Sequence, residues 1–86
     1  MPDSVEDQVR TIVAQILRAR PQDIRPETAL SLGDLGWKGF LMITLEIEHK
    51  FDIEIPVEVP NAWTTVADAI LATEQAIAAD RTRRVA

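Results

Sequence analysis

Residues 33–56, GDLGWKGFLMITLEIEHKFDIEIP, decide how the chain reads. From Lys38 to Phe51 the apolar residues recur with a helical period. At 3.6 residues per turn, Phe40, Ile43, Thr44, Ile47 and Phe51 share one stripe, the spacing of a helix face turned toward a core. Leu41 and Leu45 form a second, narrower apolar line, with Glu48 close to both. Met42, Glu46, His49 and Lys50 fill the remaining arc. A single core stripe needs only the first set. Leu41 and Leu45 are therefore either covered by a neighbouring helix or left as a partly exposed patch for a partner. Ile53-Glu54-Ile55-Pro56 then makes a short apolar exit from the helix.

Upstream, Ser4 or Asp3 stands where a helix cap belongs, and Glu6 and Asp7 follow in the opening turn. Val9, Ile12, Val13, Ile16 and Leu17 repeat at helical spacing until Pro21 stops the run. The spacing predicts a helix over 4–19. Residues 20–37 form a long connection holding Pro21, Pro26, Gly33 and Gly36. Ile24, Leu30, Leu32 and Leu35 are its expected anchors to the core, and Pro26 opens a stretch suited to a single helical turn. Downstream, the segment from Pro56 to Trp63 has room for one or two turns, with Pro60 tolerated only in a first turn or a loop. Thr65 and Asp68 are spaced as a capping box. Val66, Ala69, Ile70, Thr73 and Ile77 then predict a last long helix over 65–79, with 80–86 expected to fray. The sum is an all-α fold: a four-helix bundle of three long helices and a short one, forming one domain over 1–86. Its expected core is Val13, Ile16, Phe40, Ile43, Ile47, Phe51, Ile55, Val66 and Ile70.

Composition narrows the function. At 86 residues the chain has room for one small core. The apolar fraction of 47% suits a globular chain, and the absence of cysteine excludes disulfides, thiol chemistry and cysteine-ligated metals. No apolar run approaches membrane-spanning length and the N-terminus does not read as a secretory signal, so a cytoplasmic protein without membrane insertion is expected. The net charge is −5, and residues 28–80 carry nine acids against only Lys38 and Lys50. An acidic surface disfavours nucleic acid and suits a basic protein partner, or simply keeps a small protein soluble. His49 is the only histidine, so neither a zinc-binding pair nor a proton relay is available. Asp52, Glu54 and Glu58 alternate without the glycine and ligand spacing of a calcium loop. No catalytic constellation is visible, and a non-enzymatic chain, monomeric when alone, is expected.

Three blocks carry a resemblance: Asp34-Leu35-Gly36, then Glu48 to Pro56 (EHKFDIEIP), then Thr64-Thr65-Val66 followed by Asp68-Ala69-Ile70. In this order and spacing the chain resembles the acyl carrier protein family over nearly its whole length. That family shows a DLG-x-DSL motif, an acidic helix ending in E-x-x-F-x-I-x-I-P, and then T-T-V-x-D-A-I. The resemblance implies a four-helix bundle serving fatty-acid, polyketide or related acyl transfer. It also implies a 4′-phosphopantetheine arm on the serine of DSL, at a helix N-terminus where the dipole favours a phosphodiester. The second helix of the family presents acids and a few apolar side chains to basic patches on its enzymes.

This chain departs from the family at the arm. Counted from Asp34-Leu35-Gly36 the serine position is Gly39, and counted back from Phe51 it is Trp37; neither has a hydroxyl. Ser31 echoes the Ser-Leu pair but lies six residues too early for the family spacing to Phe51. The expectation is a carrier-like module without cofactor, docking on a synthase, acyltransferase or ligase through Trp37, Lys38, Leu41, Leu45, Glu46, Glu48 and Asp52. Glu46, elsewhere on the wheel, is expected to matter less than Glu48. The alternative is a working carrier whose phosphopantetheine sits on Ser31, or on a serine replaced in this sequence. Trp63 falls where the family has an aliphatic core residue. Trp37 is read equally as a core anchor or a partner contact.

Overall fold

The computed structural model describes residues 4–30, 36–56 and 58–85. Three α-helices form there, α1 (Val5–Leu17), α2 (Gly36–Phe51) and α3 (Val66–Val85), with 3-10 turns at Pro21–Asp23 and Pro60–Ala62. The fold is all-α. Helix α1 packs on both α2 and α3. The apolar stripes meet there: Val9 and Val13 from α1, Ile43 and Ile47 from α2, and Val66 and Ala69 from α3 are all fully buried.

Local chemistry sets the ends of α1. The Ser4 hydroxyl accepts from the Asp7 N–H at 3.1 Å, satisfying a donor that has no partner within the helix. At the other end Arg18 adopts the left-handed conformation, and the N–H of Ala19 reaches back to the Ala14 carbonyl at 2.8 Å. Arg10, unremarked in the sequence, ties the following loop to α1. Its Nε donates to the Ile24 carbonyl at 2.8 Å and its other guanidinium nitrogen to the Pro21 carbonyl at 3.1 Å. Ile24 and Leu30 are buried, as expected of loop anchors; Leu32, Leu35 and Ser31 lie outside the described residues.

Four elements depart from expectation or add to it. Helix α2 starts at Gly36, so Trp37 and Lys38 belong to its first turn. The segment 26–30 makes one hydrogen-bonded turn at Pro26–Glu27, closed by the Thr28 N–H on the Arg25 carbonyl at 2.9 Å, and does not continue as helix. It then pairs with the entrance of α3: Leu30 N–H donates to the Thr64 carbonyl, Val66 N–H to Thr28 and Ala67 N–H to Pro26, at 2.8–2.9 Å. Backbone carbonyls of the loop thus satisfy the first donors of α3, which a propensity argument cannot foresee. The expected short fourth helix is reduced among the described residues to the single turn Pro60–Ala62. Helical backbone also continues past Ala79 to Val85, through the stretch predicted to fray; its three arginines are good helix formers and stand at the helix end where the dipole favours cations.

Asp68 locks the start of α3. Its Oδ2 accepts from the N–H of Thr64 at 2.8 Å, from the N–H of Thr65 at 3.0 Å and from the Thr64 hydroxyl at 3.1 Å. These bonds, led by the Thr64 N–H, hold its carboxyl below the usual carboxylate range. A carboxyl whose pKa is lower folded than unfolded adds stability above its unfolded pKa, and that contribution disappears as the pH falls through the folded value. Asp68→Asn is therefore expected to flatten the acid limb of the stability–pH profile, read as urea midpoints measured from neutral pH downward.

Candidate docking face on the second helix

One side of α2 is core. Ile43 and Ile47 are fully buried, and Thr44 is 6% exposed with its hydroxyl donating to the Phe40 carbonyl at 2.8 Å. Phe40 and Phe51 are half-buried against the same cluster. The Phe40 ring also meets the buried Trp63 ring, centroids 6.5 Å apart and tilted by 58°. Trp63 is thus a core anchor, and among the described residues its indole N–H has no hydrogen-bond partner.

The opposite side carries an apolar patch. Leu41 is 41% exposed, Met42 46% and Leu45 53%. Leu41 and Leu45 are four residues apart and Met42 and Leu45 three, so the three side chains adjoin on the helix surface. Among the described residues no neighbouring helix buries them, so the Leu41–Leu45 line is left partly exposed. Lys38 lies one turn before the patch, while Glu46 and His49 follow Met42 and Leu45 at a spacing of four; all three are exposed.

Two expected site residues change character. Glu48 turns toward the exit loop, where its Oε2 accepts from the Ile55 N–H at 2.8 Å. It clamps that loop onto the end of α2, and Ile53 and Ile55 fill the core beneath. Glu46, expected to matter less, is the acid that borders the patch. Asp52 is exposed and takes the left-handed conformation (φ 53°) that leads the chain out of α2, with the Ile53 N–H bonded to the Glu48 carbonyl at 3.2 Å. The Trp37 side chain lies outside the described residues. Met42 is the patch residue that sequence reasoning missed; the only available signal was its place on the arc that the core stripe does not use. Glu48→Ala is expected to cost about 1–2 kcal/mol through the unpaired amide and to speed hydrogen exchange at Ile55 while leaving α1 amides protected.

The two positions counted for an attachment serine, Trp37 and Gly39, carry no hydroxyl. Gly39 is buried, and Thr44, the only hydroxyl of 36–45, is buried and already bonded to the Phe40 carbonyl. A groove of about 500 Å³ lies elsewhere, between the exit loop (Glu54, Ile55, Pro56, Val59) and α3 (Ala72, Ala76). Its polar lining is Glu48, Glu54 and Gln75. Among the described residues no group of three potential ligands is placed to hold a metal ion, and no helix is long and apolar enough to cross a membrane. The search for a matching family model finds none for this chain.

Proposed function

We propose that this chain is a docking module resembling an acyl carrier protein, acting in fatty-acid, polyketide or related acyl transfer without an arm of its own. It is not an enzyme in this reading. It binds a basic surface on a synthase, acyltransferase or ligase in the cytoplasm, and contacts neither nucleic acid nor the membrane interior. One observation carries the proposal: Leu41, Met42 and Leu45 stand exposed together on a helix whose other face is fully engaged in the core. An exposed apolar cluster on a protein of net charge −5 is the mark of a surface that meets a partner. The three sequence blocks shared with the carrier family supply the class of partner, and the buried Thr44 together with Gly39 supplies the reason for a missing arm.

The test is incubation with a phosphopantetheinyl transferase and coenzyme A, followed by intact mass. The expected result is an unchanged mass, alongside measurable binding of the unmodified chain to an acyl-transfer enzyme. A mass increase of one phosphopantetheine mapped to Ser31 replaces the proposal with a working carrier.

A further inference from the structure

Helix α3 outlasts the core it packs against. It has 20 residues against 13 in α1, or about 30 Å against 20 Å at 1.5 Å per residue. Burial fades along it: Thr73 is fully buried, Ala76 and Ile77 are half-buried, and Arg81 and Thr82 are exposed. Its outer face is a regular seam. Ala67, Leu71, Glu74, Ala78 and Arg81 are all exposed and follow one another at spacings of four, three, four and three. That alternation keeps one stripe facing a partner helix along its length. Leu71, in the middle of the seam's first half, is 54% exposed, more than any other large apolar side chain among the described residues.

The charge order on the seam selects an occupant. Glu74 and Arg81 are seven residues apart, about 10.5 Å along the axis, too far to pair within one helix. Among the described residues neither takes part in an ion pair. The geometry points to a second copy of this chain, its α3 antiparallel to the first about a two-fold axis near Ala78. Glu74 of each copy then faces Arg81 of the other, giving two reciprocal ion pairs. The small Ala78 side chains let the helices approach at the axis. A parallel pair sets Glu74 against Glu74 and Arg81 against Arg81, so repulsion excludes that orientation. One helix pair covers less than the roughly 1,000 Å² of a stable dimer, so the association is weak and salt-sensitive. This seam is on a different helix from the Leu41–Met42–Leu45 face, and the inference does not depend on the proposed function. It departs from the monomer expected of the sequence.

Sedimentation equilibrium of the full chain at low salt is the test, with concentrations up to about 1 mM. The parent chain is expected to approach dimer mass as concentration rises. Glu74→Arg and Arg81→Glu, each at an exposed site that leaves the helical circular dichroism unchanged, are each expected to weaken association at least tenfold, because each places like charges at both reciprocal contacts. Mixing the two variants restores complementary pairs on both sides and is expected to recover dimer, as is the double variant Glu74→Arg/Arg81→Glu. A parent that stays monomeric at the highest concentration overturns the inference. So do single reversals that associate as well as the parent, a mixture that stays monomeric, or a dimer lost on Leu45→Arg and kept on Leu71→Arg.

Discussion

Replacing Ile47 by Ala is expected to destabilise the fold by about 2–5 kcal/mol, the range for truncating a large side chain in a closed core. Ile47 is fully buried, one helical turn from the equally buried Ile43. The cavity opens in the cluster that the stripe of α2 shares with α1, α3 and the buried loop residues. A domain of this size holds on the order of 5–10 kcal/mol in total, so the substitution removes a large share of it. The melting temperature should fall by at least about 8 °C, at about 4–8 °C per kcal/mol. Chemical and thermal unfolding followed by circular dichroism measure both. A loss below about 1 kcal/mol is incompatible with the core register described above.

Leu45→Ala is expected to do the reverse, leaving the fold intact and weakening a complex. At 53% exposure Leu45 contributes little to the core, and surface truncations usually stay within about 0.5 kcal/mol. As an apolar anchor at the centre of the docking patch, its loss is expected to speed dissociation from an acyl-transfer enzyme by about 5–30-fold, equivalent to 1–2 kcal/mol. The association rate should hardly change, because encounter is governed by charge. Met42→Ala should behave alike. Glu46→Lys should instead lower the association rate, most strongly at low salt. Surface plasmon resonance of the three variants separates the two effects. If none alters binding while charge reversals at Glu6 and Asp7 do, the docking face is on α1 and the reading of α2 falls.

Several expectations rested on local rules and hold in the structure. The stripes that define α1, α2 and α3 are periodic over three or more turns, and burying one face of each requires only that the helices meet. Val13, Ile43, Ile47, Ile55, Val66 and Ile70 are accordingly buried. Ile16, Phe40 and Phe51, expected beside them, are half-buried at the rim of the same cluster. The Ser4 cap and the Asp68 carboxylate at the head of α3 act over three or four residues, a range at which sequence order fixes proximity. His49, placed off the core stripe on the remaining arc, is exposed.

The candidate site was legible only in part, because exposure on a helix depends on what its neighbours cover. The wheel separates Leu41 and Leu45 from the core stripe. It does not say that α1 and α3 leave Met42 uncovered as well. Glu48 sits beside both leucines on the wheel, yet its carboxylate meets a backbone amide seven residues away, once the chain has turned out of α2 through Asp52. The wheel fixes a side chain's azimuth, whereas its hydrogen-bond partner is set by the path of the next loop.

The sequence by itself determined three helices, the face each turns inward, the lack of cysteine and metal-binding histidine pairs, and the absence of a hydroxyl at Trp37 and Gly39. These follow from composition and from the 3.6-residue period, which act within a few residues. Tertiary structure alone decided that residues 26–30 pair with the entrance of α3, that Arg10 and Glu48 are fastened to loop backbones, and that the apolar patch on α2 includes Met42. Each of these joins segments distant along the chain or depends on which surface a neighbouring helix covers. Such contacts arise from packing three helices around one core, and no local pattern encodes where that packing stops.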